Sequence, residues 1–267
     1  MPTIITAALL GVLQGVTEFL PVSSTAHLLI ASRLVGYDDP GGVFTVMIQL
    51  GAILAIVWLY RRRLLDVLTG LPSDPAARHF AAMILVAFLP AAFAGAVLSK
   101  YVKQVLYASP AVIAWAFILG GVVILLVERL SPPAREDAAD QTPLMRAGAI
   151  GVFQTLALVP GVSRSGATIV GARLLGLSRG AAAEFSFFLA IPTMTAAFAH
   201  DLWEVRHQLS PERGLEIAIG FVMAFVAAVL VVQPFLAYVK RSGFAPFAWY
   251  RIAAGAAILV ALGAGWL

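Results

Sequence analysis

Two short polar runs interrupt an otherwise apolar chain, and they hold the residue types that do phosphate chemistry. The first carries Gln14, Glu18, Ser23, Ser24, Thr25 and His27. The second carries Gln154, Gly161, Ser163, Arg164, Ser165, Gly166 and Thr168. Gln14 and Glu18 are spaced i,i+4 and share a helix face. Ser24 and His27 are spaced i,i+3, which places a hydroxyl beside a base, the minimum for an activated nucleophile. A carboxylate such as Glu18 either orients the histidine or holds a divalent cation on a phosphate. Its structural alternative is an ion pair with Arg164 that only locks the fold. Ser23 and Thr25 have the alternative of capping a helix. The second run reads as an anion cradle. Gly161 and Gly166 let backbone approach a ligand, Ser163 and Ser165 stand where a helix begins, and Arg164 adds a planar fork suited to phosphate oxygens.

The setting makes these runs informative. The chain has 267 residues, 61% hydrophobic and 12% charged, with a mean hydropathy of +0.92. A soluble domain carries about twice that charge fraction, so lipid is the expected solvent. A buried ionisable group in a membrane is functional by default. There is no cysteine, which excludes disulfides and thiolate metal sites. The net charge of +4 is no nucleic-acid signature. The apolar runs continue to Leu267, so no cleaved leader is expected.

Six stretches are long enough to span: 44–60, 80–99, 109–127, 183–200, 215–239 and 247–267, the first of them short. Two others, 3–36 and 147–177, are broken at Pro21-Val22-Ser23-Ser24-Thr25 and at 160–166. Neither half of either stretch can cross alone, so both are predicted to be re-entrant hairpins.

The hairpins are copies. Shifted by 140 positions, Gly11, Gln14, Ser23, Arg33 and Gly36 meet Gly151, Gln154, Ser163, Arg173 and Gly176. The register continues through Met83 with Met223 and Lys100 with Lys240. The expected fold is therefore an all-α integral membrane domain with two repeats, about 1–128 and 141–267. Each repeat is a hairpin plus three transmembrane helices, and an odd number of spans inverts the second copy. Loop charge agrees with inversion. Arg61, Arg62, Arg63, Arg78, Arg129, Arg135, Arg146, Arg173, Arg179, Lys240, Arg241 and Arg251 fall on one side, taken as cytoplasmic. Arg33, Lys100, Lys103, Arg206 and Arg213 fall on the other. The hairpin tips then meet near the midplane. The copies differ where chemistry needs it, with Glu18, Ser24 and His27 facing Leu158, Arg164 and Ala167.

Other polar positions are weaker candidates. The run from Asp38 to Gly42 reads as a turn rather than a metal loop, Glu184 as a carboxylate at a span's start more than as a member of the site, and Gln49 as a neighbour of the site. Glu216 and Gln233 show no evident partner. His200, Asp201, Glu204 and His207 read as solvated.

The run from Gln14 to His27 resembles the first motif of bacterial undecaprenyl-diphosphate phosphatases of the bacitracin-resistance type. Pro160 to Thr168 resembles the second motif, and the resemblance covers nearly the whole chain. The family has Glu or Gln where Gln14 stands, and Gly is frequent at Ala26. The resemblance implies hydrolysis of undecaprenyl diphosphate to the monophosphate, recycling the lipid carrier of cell-wall synthesis. It implies a divalent metal, Mg or Ca, with Glu18 as ligand. It implies a bacterial cell (inner) membrane location with the site open to the outer face. It makes Glu18, Ser24, His27 and Arg164 the key residues, with Gln14, Ser23, Thr25, Gly161, Ser163, Ser165, Gly166 and Thr168 binding substrate. The expected partners are the polyprenyl diphosphate and membrane lipid, no nucleic acid, and a second copy of the chain as a candidate homodimer. Whether Ser24 or a water attacks stays open. The rival reading is a polyprenyl-phosphate transporter built on the same inverted repeats.

Overall fold

The computed structural model describes residues 3–105, 109–208 and 213–265, which are helical with no strand among them. The last two residues of the predicted 247–267 span lie outside this set, as do the side chains of Lys100 and Lys103. The helices are α1 (Thr3–Thr17), α2 (Ser24–Val35), α3 (Val43–Leu59), α4 (Arg61–Gly70), α5 (Pro75–Val105), α6 (Pro110–Leu130), α7 (Leu144–Gln154), α8 (Arg164–Leu174), α9 (Arg179–Val205), α10 (Gly214–Ser242) and α11 (Ala245–Gly263). The segments of α5, α6, α9, α10 and α11 are long and apolar enough to cross a membrane alone. The chain is a multi-pass membrane protein. The short first span is α3, with 17 residues; it qualifies only with α4, from which it is bent by 70°.

The halves of both hairpins are short, with 15 and 12 residues in α1 and α2 and 11 each in α7 and α8. The breaks differ from the predicted ones. Helix α1 ends at Thr17 and residues 18–23 form the turn, so Ser24 and Thr25 already belong to α2. In the second hairpin a 3-10 turn at Thr155–Leu158 opens the break and Arg164 begins α8.

The two hairpins end alike. Gly36 at φ 65° and Gly176 at φ 94° occupy the left-handed region that closes a helix. Gly36 N donates to Arg33 O at 3.2 Å and Tyr37 N to Ser32 O at 2.8 Å; Gly176 N donates to Arg173 O at 3.1 Å and Leu177 N to Ala172 O at 3.0 Å. These are the same two bonds 140 positions apart. Packing crosses between the halves in pairs as well: α1 lies on α10 and α7 on α5, while α3 lies on α10 and α9 on α5. Gly11 admits the close crossing of α1 with α10, where any Cβ would stand 2.3 Å from Gly220 O.

Helix α10 separates the two hairpin mouths. Its 29 residues span about 43 Å at 1.5 Å per residue. At its start Arg213 donates to Tyr37 Oη at 2.9 Å and to Glu216 Oε1 at 2.8 Å, beside the mouth of the first hairpin. Glu216 therefore has the partners that the sequence did not reveal. At its other end Gly243 backs onto Glu128 and Arg179, whose ion pair at 2.7 Å holds the mouth of the second hairpin. Arg63 pairs with Asp140, and Arg135 N donates to Gly176 O at 2.7 Å. The segments after α3, after α6 and after α10 thus share one end with that second mouth.

One residue of the loop tally lies elsewhere. Arg251 sits inside α11, about 9 Å along it from Ala245, and is only 1% exposed. Asp39 closes the Asp38–Gly42 turn by accepting from Phe44 N at 2.8 Å and Thr45 N at 2.9 Å, capping α3.

Candidate active site

Both hairpin tips meet on Glu18. Its carboxylate stands just past α1 and is 6% exposed. Arg164, the first residue of α8, donates from Nη2 to Glu18 Oε1 at 3.2 Å. Gln14 Nε2 donates to Glu18 Oε2 at 2.9 Å, and Ser24 Oγ donates to the same oxygen at 2.5 Å. One buried carboxylate thus faces a guanidinium on one side and a hydroxyl on the other.

Arg164 is held from several directions. Its Nη1 donates to Ser186 O at 3.0 Å on α9, and its guanidinium carbon stands 5.7 Å from the centre of the Phe19 ring. Its Nε is buried without a partner among the described residues. A buried donor left unpaired costs about 1–3 kcal/mol, and a bound oxyanion removes that cost. Ser163 caps α8 by accepting from Gly166 N at 3.1 Å.

The serines of the second tip face protein. Ser165 Oγ donates to Leu20 O at 2.7 Å and lies 2.8 Å from Ser163 Oγ. Thr168 donates back to Arg164 O at 2.9 Å. The hydroxyls of Ser163, Ser165 and Thr168, residues all 3% exposed or less, knit the tips together and brace Arg164. Gly161 sits at φ 90°, where a Cβ would come within 2.9 Å of Ile113 O, and Gly166 lies against Pro21. At the first tip the capping alternative is not realised. Ser23 precedes α2 but makes no side-chain cap, and its φ of 68° is the one positive value among described non-glycine residues. Thr25 follows on α2, partly buried.

The predicted Ser24–His27 pairing is not what folds. His27 Nδ1 lies 2.7 Å from Ser23 O, and its Nε2 lies 2.5 Å from Tyr250 Oη. Both ring nitrogens are engaged away from Ser24, whose hydroxyl donates to Glu18 instead. The i,i+3 spacing put the residues on one helix face, but the preceding turn brought a carboxylate closer.

Sequence reasoning missed Arg251. Its Nη1 donates to Pro21 O at 3.1 Å and its Nη2 to Gly161 O at 3.0 Å and Ala116 O at 2.9 Å. Pro21 and Gly161 are equivalent positions of the two repeats, so one guanidinium binds the same carbonyl in both breaks. A charge inside the apolar 247–267 stretch was the signal available.

The donor set at Glu18 suits a hard divalent cation. Glu18 and the amide oxygen of Gln14 are oxygen ligands, and such ions are commonly held by one or two carboxylates plus substrate phosphates. A cavity of about 330 Å³ lies elsewhere, between Thr3, Tyr37, Arg213 and Glu216 at the first mouth. His200, Asp201 and Glu204 bring ligand atoms together at the end of α9, far along that helix from Ser186.

Residues 7–257 match the family described as "Bacitracin resistance protein BacA". The chain is 52% identical over 262 residues to the undecaprenyl-diphosphatase of Paracoccus denitrificans, covering 98% of each chain. It is 52% identical over 264 residues to that of Cereibacter sphaeroides, covering 99% of this chain and 98% of the relative. It is 51% identical over 261 residues to undecaprenyl-diphosphatase 1 of Agrobacterium fabrum, covering 97% of each.

Proposed function

The chain belongs to the bacitracin resistance protein BacA family, and from that premise we propose that it hydrolyses undecaprenyl diphosphate to undecaprenyl phosphate and inorganic phosphate. The observation that carries the reading is the Ser24–Glu18–Arg164 line, which joins a hydroxyl, a proton acceptor and a cation across the two tips. Glu18 takes the proton of the attacking hydroxyl, whether Ser24's or that of a water held in its place. Arg164 and the N-terminal end of α8 neutralise charge on the transferring phosphoryl group. Glu18 and Gln14 are the residues that would hold a divalent metal, which would offset diphosphate charge. Because the site lies between re-entrant tips in a membrane protein, a polyprenyl tail can remain in lipid while its head enters.

The membrane is the bacterial inner membrane. The end of α10 that carries Arg179, Arg63 and Arg135 is cytoplasmic by its positive charge, and the first hairpin opens outward. A second copy of the chain is a candidate partner. Transport gains no support from the phosphatase names of these relatives. Purified protein in detergent tests the reading, since no compartment exists there to transport between. Release of inorganic phosphate from undecaprenyl diphosphate is expected, and binding without release would overturn it.

A further inference from the structure

His27 is held on both ring nitrogens, and the group on Nε2 comes from the far end of the chain. A carbonyl oxygen only accepts, so Ser23 O at 2.7 Å requires the hydrogen of the neutral ring on Nδ1. Nε2 is then the acceptor, and the Tyr250 hydroxyl at 2.5 Å donates to it. The two rings stack with centres 5.6 Å apart and planes 9° from parallel, and the Phe117 ring is tilted against His27 at 5.6 Å. The Ser23 backbone that presents this carbonyl is strained at φ 68°, a conformation that surrounding structure must hold. Tyr250 is held in turn, because its neighbour Arg251 binds the carbonyls of both breaks. Tyr250 is 48% exposed while Glu18 and Ser24 are 6% and 7% exposed, so the pair stands at the rim of the site.

We infer that Tyr250 is a positioning residue for the reaction. Its hydroxyl fixes the direction of the His27 ring by holding Nε2, while Ser23 O sets the tautomer, and α11 thereby becomes a third element of the active site beside the two hairpins. With Ser24 facing Glu18, Nε2 of His27 is left to take up a proton beside the diphosphate, the Tyr250 hydroxyl turning from donor to acceptor as it does so. The inference rests on the phosphatase reading above.

Tyr250→Phe keeps the ring and its stacking and removes the hydroxyl. Two measurements test it. Nitrogen-15 spectra of histidine-labelled protein in detergent report the tautomer, and His27→Gln assigns the His27 signals among four histidines. A single Nδ1–H tautomer is expected in both proteins, because Ser23 O is retained, with the Nε2 signal shifted in Tyr250→Phe by loss of its hydrogen bond. The second measurement is turnover of undecaprenyl diphosphate by Tyr250→Phe, His27→Gln and the double variant. A kcat loss of roughly tenfold with little change in KM is expected from Tyr250→Phe, with no further loss when His27 is already replaced. Unaltered His27 signals, unaltered kcat, a change confined to KM, or a full additional loss in the double variant would each overturn the inference. If the unsubstituted protein releases no phosphate, the phosphatase reading falls and the positioning role falls with it, while the spectra still decide whether Tyr250 holds Nε2 of His27.

Discussion

Ser24 Oγ lies 2.5 Å from Glu18 Oε2, and that hydroxyl and carboxylate are six residues apart on opposite sides of a helix break. The turn at 18–23 folds α2 back so that its first residue reaches the carboxylate left at the end of α1. Arg164 completes the arrangement from the other repeat. The site thus exists only when both hairpins are in place, and its parts respond differently to substitution.

Arg164→Lys is expected to lower turnover by about 10²–10³-fold, the size of losing a positioned charge-stabilising donor. A lysine ammonium cannot hold Ser186 O, Glu18 and a phosphate oxygen with one planar fork. The protein should still fold, because a cation remains beside Glu18. Near-normal turnover in a folded variant would remove Arg164 from its role.

Arg251→Met is expected to destabilise the protein without touching the reacting groups directly. It leaves the carbonyls of Pro21, Ala116 and Gly161 without their donor, at about 1–3 kcal/mol for each buried acceptor left unpaired. Thermal unfolding in detergent should show a lowered Tm, with Arg251→Lys falling between the two. An unchanged Tm would mean that the tips hold together without it.

How much of this was legible in the sequence depends on distance along the chain. The hairpins, the repeat and Glu18 with Arg164 could be read, because each rests on local pattern or on the fixed 140-residue offset. Glycines at 36 and 176 mattered in the sequence and close α2 and α8 in the structure. The partner of His27 could not be read, since nothing in the first hairpin points to a tyrosine 223 residues away. Arg251 is counted with the loop cations although it falls inside the 247–267 stretch. Its burial follows from the carbonyls of Pro21, Ala116 and Gly161, which distant parts of the chain bring to it. The helix start at Ser163 to Ser165 could be read, but not that the carbonyl of Leu20 in the other hairpin accepts from both hydroxyls.

Cysteines introduced at Arg62 and at Arg206, both exposed, should react with an impermeant reagent from opposite faces of the membrane. Arg62 lies on the end shared with the second mouth, and Arg206 precedes the start of α10 beside the first. Labelling from one face would contradict the opposed openings of the hairpins.

The most direct test of the site is Glu18→Gln, with turnover and affinity for undecaprenyl diphosphate measured on the same folded preparation. Leu158 occupies the equivalent place in the second repeat, so the fold does not demand a carboxylate there. Glutamine keeps the size and removes the charge and the proton acceptor that Ser24 faces. Turnover is expected to fall by about 10²–10⁴-fold, the contribution of a positioned base, while Arg164 still captures the diphosphate and affinity changes little. Turnover and affinity falling together, or a stable variant with ordinary turnover, would contradict Glu18 as the proton acceptor on which the mechanism depends.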